Sequence, residues 1–182
     1  MVTGEMIISY PAVFTPKENL SGQLKYSCSL LVDKKDTKTV KELKAAIDKA
    51  IEKGKSTIWG GKVPPFRYEP LRDGDAELEN GSKDDPAYKG RYFLNCTSND
   101  APGIVGADAK PLMDQTKLFA GCIVRADISA FAYKNSGNNG VAWGLNNIML
   151  VREGKRLDGR STAEDAFSEY ASDSEYSDEV PY

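Results

Sequence analysis

Apolar and polar positions alternate over two long stretches of the chain. In residues 23–32, Leu24, Tyr26, Cys28, Leu30 and Val32 interleave with Gln23, Lys25, Ser27 and Ser29. A period of two gives one buried face and one wet face, so a β-strand is predicted. The pattern is stronger in 123–134. There Val124, Ala126, Ile128, Ala130 and Ala132 point one way, and Arg125, Asp127, Ser129, Phe131 and Tyr133 the other. The following KNSGNNG, residues 134–140, predicts a flexible hairpin loop, with 141–152 returning as a strand. Shorter strands are predicted at 6–10, closed by Pro11, and at 91–96. Between the first two strands, residues 15–22 carry the Pro, Asn, Ser and Gly of a turn.

One segment changes period. Val40, Leu43, Ile47, Ala50 and Ile51 recur at helical spacing, Thr39 and Glu42 form a capping box, and Gly54 is the expected stop. Lys41, Lys44, Lys49 and Lys53 fill the solvated side. Residues 55–90 then lose periodicity and read as a long insertion rich in Gly, Pro and charge, with 97–114 as a second loop. About five short strands, one helix and long inserted loops predict a mainly β fold, an OB-fold-like small β-barrel. A β-sandwich fits the same pattern and is the alternative.

Charge divides the chain. Residues 161–182 hold seven acids and no Lys or Arg, whereas 1–160 hold 24 bases against 20 acids, a net of +4. This predicts a folded body, 1–160, and a disordered acidic tail, 161–182. A mildly basic body beside an acidic tail points to an anionic ligand and an intramolecular mimic of it; a purely solubilising tail is the blander account. Phe167, Tyr170, Tyr176 and Tyr182 are spaced among the acids, with Asp178 and Glu179 just before the end. Such a peptide can dock in a basic pocket of a partner, the ring filling a hollow and the carboxylates meeting Arg or Lys.

Histidine is absent, which excludes Ser-His-Asp and Cys-His catalysis and histidine-based zinc sites. Cys28, Cys96 and Cys122 form no Cys-X-X-Cys pair and read as reduced and mostly buried. Gly54-Lys55-Ser56 lacks the earlier glycine of a phosphate-binding loop and follows a helix, not a strand. The acids Asp73, Asp75, Glu77 and Glu79 do not match a calcium loop and read as solvated charge. No catalysis, cofactor or metal is therefore expected. The sequence has neither a membrane-length apolar run nor a secretory signal at its start, and a cytoplasmic location is expected.

Phe131 and Tyr133 stand two residues apart on the wet face of their strand, with Arg125 further along it, Lys134 beside them and Trp143 after the hairpin. Unpaired nucleic acid needs flat rings under its bases and cations along its phosphates. The same rings would be ordinary core if the insertion covered that face, and the sequence leaves both readings open. Within the insertion, Trp59, Arg67 and Tyr88 are the candidates from a run of interleaved rings and bases.

Several of these segments resemble a phage family of single-stranded DNA-binding proteins. They are FAGCIVRADI from Phe119, FAY from Phe131, GVAWGLNN from Gly140 and REGKRL from Arg152, with ISYP from Ile8 and the strand from Tyr26 to Lys34. The resemblance spans most of 5–160 and implies an OB-fold protein that coats single strands, without strong sequence preference, in the infected host. It also implies that the acidic tail contacts phage replication or recombination proteins, with Tyr182 where Phe often stands. It transfers no residue-level DNA motif. A homodimer through strand edges is compatible with such a fold. The rival readings are a non-enzymatic adaptor or virion component acting through its tail, and a carboxylate-dependent nuclease.

Overall fold

The computed structural model describes residues 1–161 and 163–171. Its elements, in chain order, begin with strands β1 (Met6–Glu18) and β2 (Leu24–Asp33) and helix α1 (Thr37–Thr57). The insertion carries β3 (Arg72–Asp73) and α2 (Gly74–Glu79). Then follow β4 (Arg91–Ser98), β5 (Gly103–Val105), β6 (Ile123–Asn135), β7 (Asn138–Arg152) and the short α3 (Ala163–Phe167). The sheet order is β3-β4-β2-β1-β6-β7-β5, and a further β4–β7 pairing joins the sheet to itself. Strands β1, β2, β4, β7 and β6 thus close a five-stranded barrel, the OB-type solution predicted from the pattern, and the sandwich alternative is set aside.

Inward residues fill the barrel. Met6 and Ile8 of β1, Cys28, Leu30 and Val32 of β2, Leu94 and Cys96 of β4, and Val124, Ala126 and Ile128 of β6 form one cluster. Helix α1 adds Val40, Leu43 and Ile47 to it and packs on β6 and β7. The three cysteines are free and buried, as expected, and burial pushes the Cys96 and Cys122 thiols up from their ordinary range.

Several local expectations are corrected. Helix α1 starts two residues before Thr39 and is capped by Asp36, whose carboxylate accepts from the Thr39 amide at 3.1 Å. It also runs past Gly54, which is needed for close approach: a Cβ there would overlap the Ala132 methyl and the Trp59 ring. Strand β1 does not stop at Pro11. Ser9 pairs with Ser29 and Ala12 with Ser27, so three residues on β1 advance against two on β2. That one-residue bulge accommodates a proline, which has no N–H to donate. The predicted seven-residue hairpin loop is a two-residue turn, Ser136-Gly137, with φ 49° and 80°. Both central residues with positive φ define the tight turn whose twist matches paired strands. Leu24, predicted inward, is exposed.

The insertion is also more ordered than its composition indicates. Asp73 caps α2, accepting from the Asp75 and Ala76 amides. Lys34 Nζ lies 2.7 Å from both Asp73 and Asp75, and Arg72 lies 2.6 Å from Glu77. Three of the four acids read as solvated charge are therefore ion-paired, and the Lys34 ammonium holds the Asp73 and Asp75 carboxyls below their usual range. In the tail, residues expected to lack structure form α3 and a single turn at Ser168–Tyr170, all exposed. No described helix is long and apolar enough to cross a membrane.

Candidate nucleic-acid interface

The pairing register assembles a row of outward positions across the barrel. Phe131 on β6 pairs with Ala142 on β7. Strand β4 runs parallel to β7 with Cys96 beside Trp143, which puts Asn95 beside Ala142 one step back. Asn95 pairs with Ser29 on β2, and Ser29 with Ser9 on β1. Side chains directly opposite on paired strands share a face, so Phe131, Ala142, Asn95, Ser29 and Ser9 line up at right angles to the strands. Four inter-strand gaps make the row about 19 Å long. Its middle is small and polar, and the Ser29 hydroxyl donates to Asn95 Oδ1 at 2.6 Å. The row is open as a trough from Phe131 to Asn95, whereas Ser29 and Ser9 are buried, 7% and 2% exposed, where the insertion lays Tyr88 against them.

Rings and cations stand along it. Phe131 is 48% exposed and reaches over Gly144, where a Cβ would lie 3.7 Å from its ring. Tyr133 is half-buried and lies against Gly140 on the same face. A crease of about 500 Å³ opens beside them, bounded by Tyr68, Pro70, Arg72, Asn95, Tyr133 and Ala142. Tyr68, 54% exposed, has the Arg67 guanidinium 5.2 Å from its ring. At the far end of the barrel, Lys17 on β1 stands directly opposite Lys25 on β2. Facing like charges repel, and neither lysine has an ion-pair partner among the described residues. An anion laid across them relieves that repulsion.

Of the predicted site residues, the structure brings together Phe131, Tyr133 and Arg67. Lys134 is exposed next to Tyr133 but departs from the other face of the strand. Of the remaining four, the three rings are corrected. Trp143 pairs with Ala130 on the core face, is 2% exposed, and donates its indole N–H to the Pro70 carbonyl at 2.8 Å. Trp59 is 9% exposed, packed under the end of α1 with Phe66 at 5.5 Å. Tyr88 is fully buried on the outside of the barrel wall, edge-on to Phe93 at 4.9 Å and against Leu31. Burial pushes its phenol pKa up. Arg125 shares the outward face, but six residues of extended strand put it about 20 Å from Phe131. It faces Glu5 at 3.9 Å and donates to the Thr3 carbonyl at 3.3 Å. The sequence reading did not select Tyr68 from the insertion's rings, and it missed Asn95 and the Lys17–Lys25 pair. Only register reveals the last of these.

Phe167 and Tyr170 of the tail are 65% and 80% exposed. Tyr176, Asp178, Glu179 and Tyr182 lie outside the described residues. No group of three or more carboxylates or cysteines poised to hold a metal exists among the described residues.

A five-stranded barrel closed through β4 and β7, with one long helix packed on it, defines an OB-type fold. The chain belongs to the family described as the single-stranded DNA-binding protein of Enterobacter phage Enc34, which it matches over residues 1–177. It is 29% identical over 168 residues to putative protein p50 of Acyrthosiphon pisum secondary endosymbiont phage 1, covering 86% of this chain and 85% of that one. Among solved structures, it is similar to the Enc34 protein in complex with single-stranded DNA. That match has a TM-score of 0.71 at 20% identity and covers 86% of this chain and 88% of the other. It also shares its fold with gp2.5, a single-stranded DNA-binding protein encoded by bacteriophage T7. There the TM-score is 0.60 at 17% identity, over 97% and 96% of the two chains.

Proposed function

We propose that this protein coats single-stranded DNA without sequence preference during phage replication or recombination, through the trough between Phe131 and Asn95, with no catalysis and no cofactor. The observation that carries the reading is the open crease bounded by Tyr68, Asn95, Tyr133 and Ala142, with Phe131 exposed beside it and the Arg67 guanidinium over the Tyr68 ring. Rings stack on any base, and cations bind any phosphate, so affinity comes without base readout. The family membership and the DNA-bound relative support the same ligand.

The test is a titration with oligo-dT followed by tryptophan fluorescence or anisotropy. Lys17, Lys25, Arg67, Lys83 and Lys134 supply about five phosphate contacts, so log K falls against log salt with a slope of about −3.5. Affinity then drops about 100-fold between 50 and 200 mM salt. Absence of binding at low salt refutes the reading and favours the tail-borne adaptor.

Residues 1–160 are the DNA-binding body in this proposal, and 161–182 a tail that competes with DNA and docks replication or recombination proteins. Leu157 and Gly159 line a crease with Ile7 and Pro86, so the chain leaves the barrel beside β1, two residues along the outward face from Ser9. In this reading the seven acids of 161–182 compete with DNA phosphates for the cations of the trough. Removal of 161–182 tightens oligo-dT binding several-fold at low salt, and the gain fades as salt screens it. Equal affinities with and without the tail at low salt leave it only the docking role.

A further inference from the structure

We infer that Tyr10 and Lys83 form a separate nucleotide-holding subsite beside β1, beyond the covered end of the outward row, the ring taking a base and the ammonium its phosphate; this rests on the single-stranded DNA reading above. The β1 bulge creates it. Ordinary alternation from Ser9, which faces outward, would turn Tyr10 into the barrel beside Ile8. The extra residue instead releases it to the surface, where it is 61% exposed. Its φ is 46°, a left-handed conformation that a bulky residue rarely adopts and that glycine ordinarily supplies at a bulge of this kind. The fold therefore holds a large ring where the backbone prefers no side chain. Burial gives no reason for it, because the ring is out in solvent.

Lys83 supplies the second observation. Its Nζ sits 5.5 Å from the Tyr10 ring centroid, 4.9 Å from Tyr88 and 5.3 Å from Phe93. Three rings fix the position of one ammonium, and no carboxylate among the described residues neutralises it. A cation held by ring faces keeps its charge available for an incoming anion. Tyr10 follows Ser9, the last member of the outward row, and Phe131 is the first. Ser29 and Ser9 between them are buried, so a strand leaving the Phe131 end reaches Tyr10 across the part of the insertion that holds Lys83 over Tyr88.

The experiment compares full-length Tyr10→Ala, Tyr10→Phe, Lys83→Ala and Phe131→Ala in oligo-dT titrations, and maps photo-cross-links from 5-iodo-deoxyuridine oligonucleotides on the unaltered protein. Tyr10→Ala weakens binding about tenfold, Tyr10→Phe restores it, and Lys83→Ala makes the salt slope shallower by about 0.7. Cross-links fall on Tyr10 as well as on the Phe131 strand. If Tyr10→Ala binds normally, with cross-links confined to the Phe131 end while Phe131→Ala is weakened, the subsite is overturned and the DNA reading stands. If the unaltered protein retards no oligonucleotide, both fall together. A relaxed bulge shows as a changed melting temperature in Tyr10→Ala, and the cross-link then decides alone.

Discussion

Tyr88→Ala destabilises the protein by about 3–5 kcal/mol, the cost of deleting a fully buried aromatic ring. For a domain of this size that lowers the melting temperature by about 10 °C or more. The ring is the centre of a cluster outside the barrel wall, with Leu31 and Phe93 below it and Ile7, Leu78 and Ala87 packed around it. Its loss removes the apolar attachment of the insertion to β2 and β4 and leaves the β3–β4 pairing and the Lys34 ion pairs to hold it. Tyr88→Phe keeps the packing and costs far less, because only the hydroxyl goes. Thermal and urea unfolding check both variants. Unchanged stability for Tyr88→Ala, with DNA binding abolished, would return Tyr88 to the stacking role the sequence first indicated.

Phe131→Ala is expected to do the opposite. Its ring is about half exposed, so unfolding changes by no more than about 0.5 kcal/mol. The loss of one stacked base removes about 1–3 kcal/mol of binding, which is about 5- to 150-fold in affinity for oligo-dT. The salt slope stays the same, since no phosphate contact is removed. A titration at two salt concentrations reads both quantities. Normal affinity with the slope unchanged would move the stacking role to Tyr68 or Tyr133.

These two rings show what the sequence could and could not convey. Phe131 was legible because β6 has one wet face, and strict alternation assigns every residue on such a strand to a side. Trp143 was not, because its side depends on the length of the hairpin turn. With Ser136-Gly137 as the whole turn, Trp143 falls opposite Ala130 and points to the core; the longer loop read from KNSGNNG left that register undefined. Tyr88 and Trp59 sit in a segment without periodicity, where burial is decided by how the insertion folds back. The barrel itself was recoverable because its strands and helix obey their own periods. Closure depends on the β4–β7 pairing, between strands 40 residues or more apart, and no local pattern encodes it. The bulge at Tyr10 was hidden for the same reason, since Pro11 reads as the end of a strand until the partner strand is known.

The edge of β7 remote from β6 is occupied in succession by three unrelated pieces of chain. The Arg67 amide donates to Asn139, β4 takes Trp143 and Gly144, and β5 takes Asn147 to Met149. Open strand edges invite other chains to add to the sheet. Molecules packed side by side on one filament of nucleic acid meet at very high local concentration, where such a lip would turn neighbours into a fibre. With that lip already hemmed by pairing within the chain, a neighbouring copy cannot extend the sheet along it.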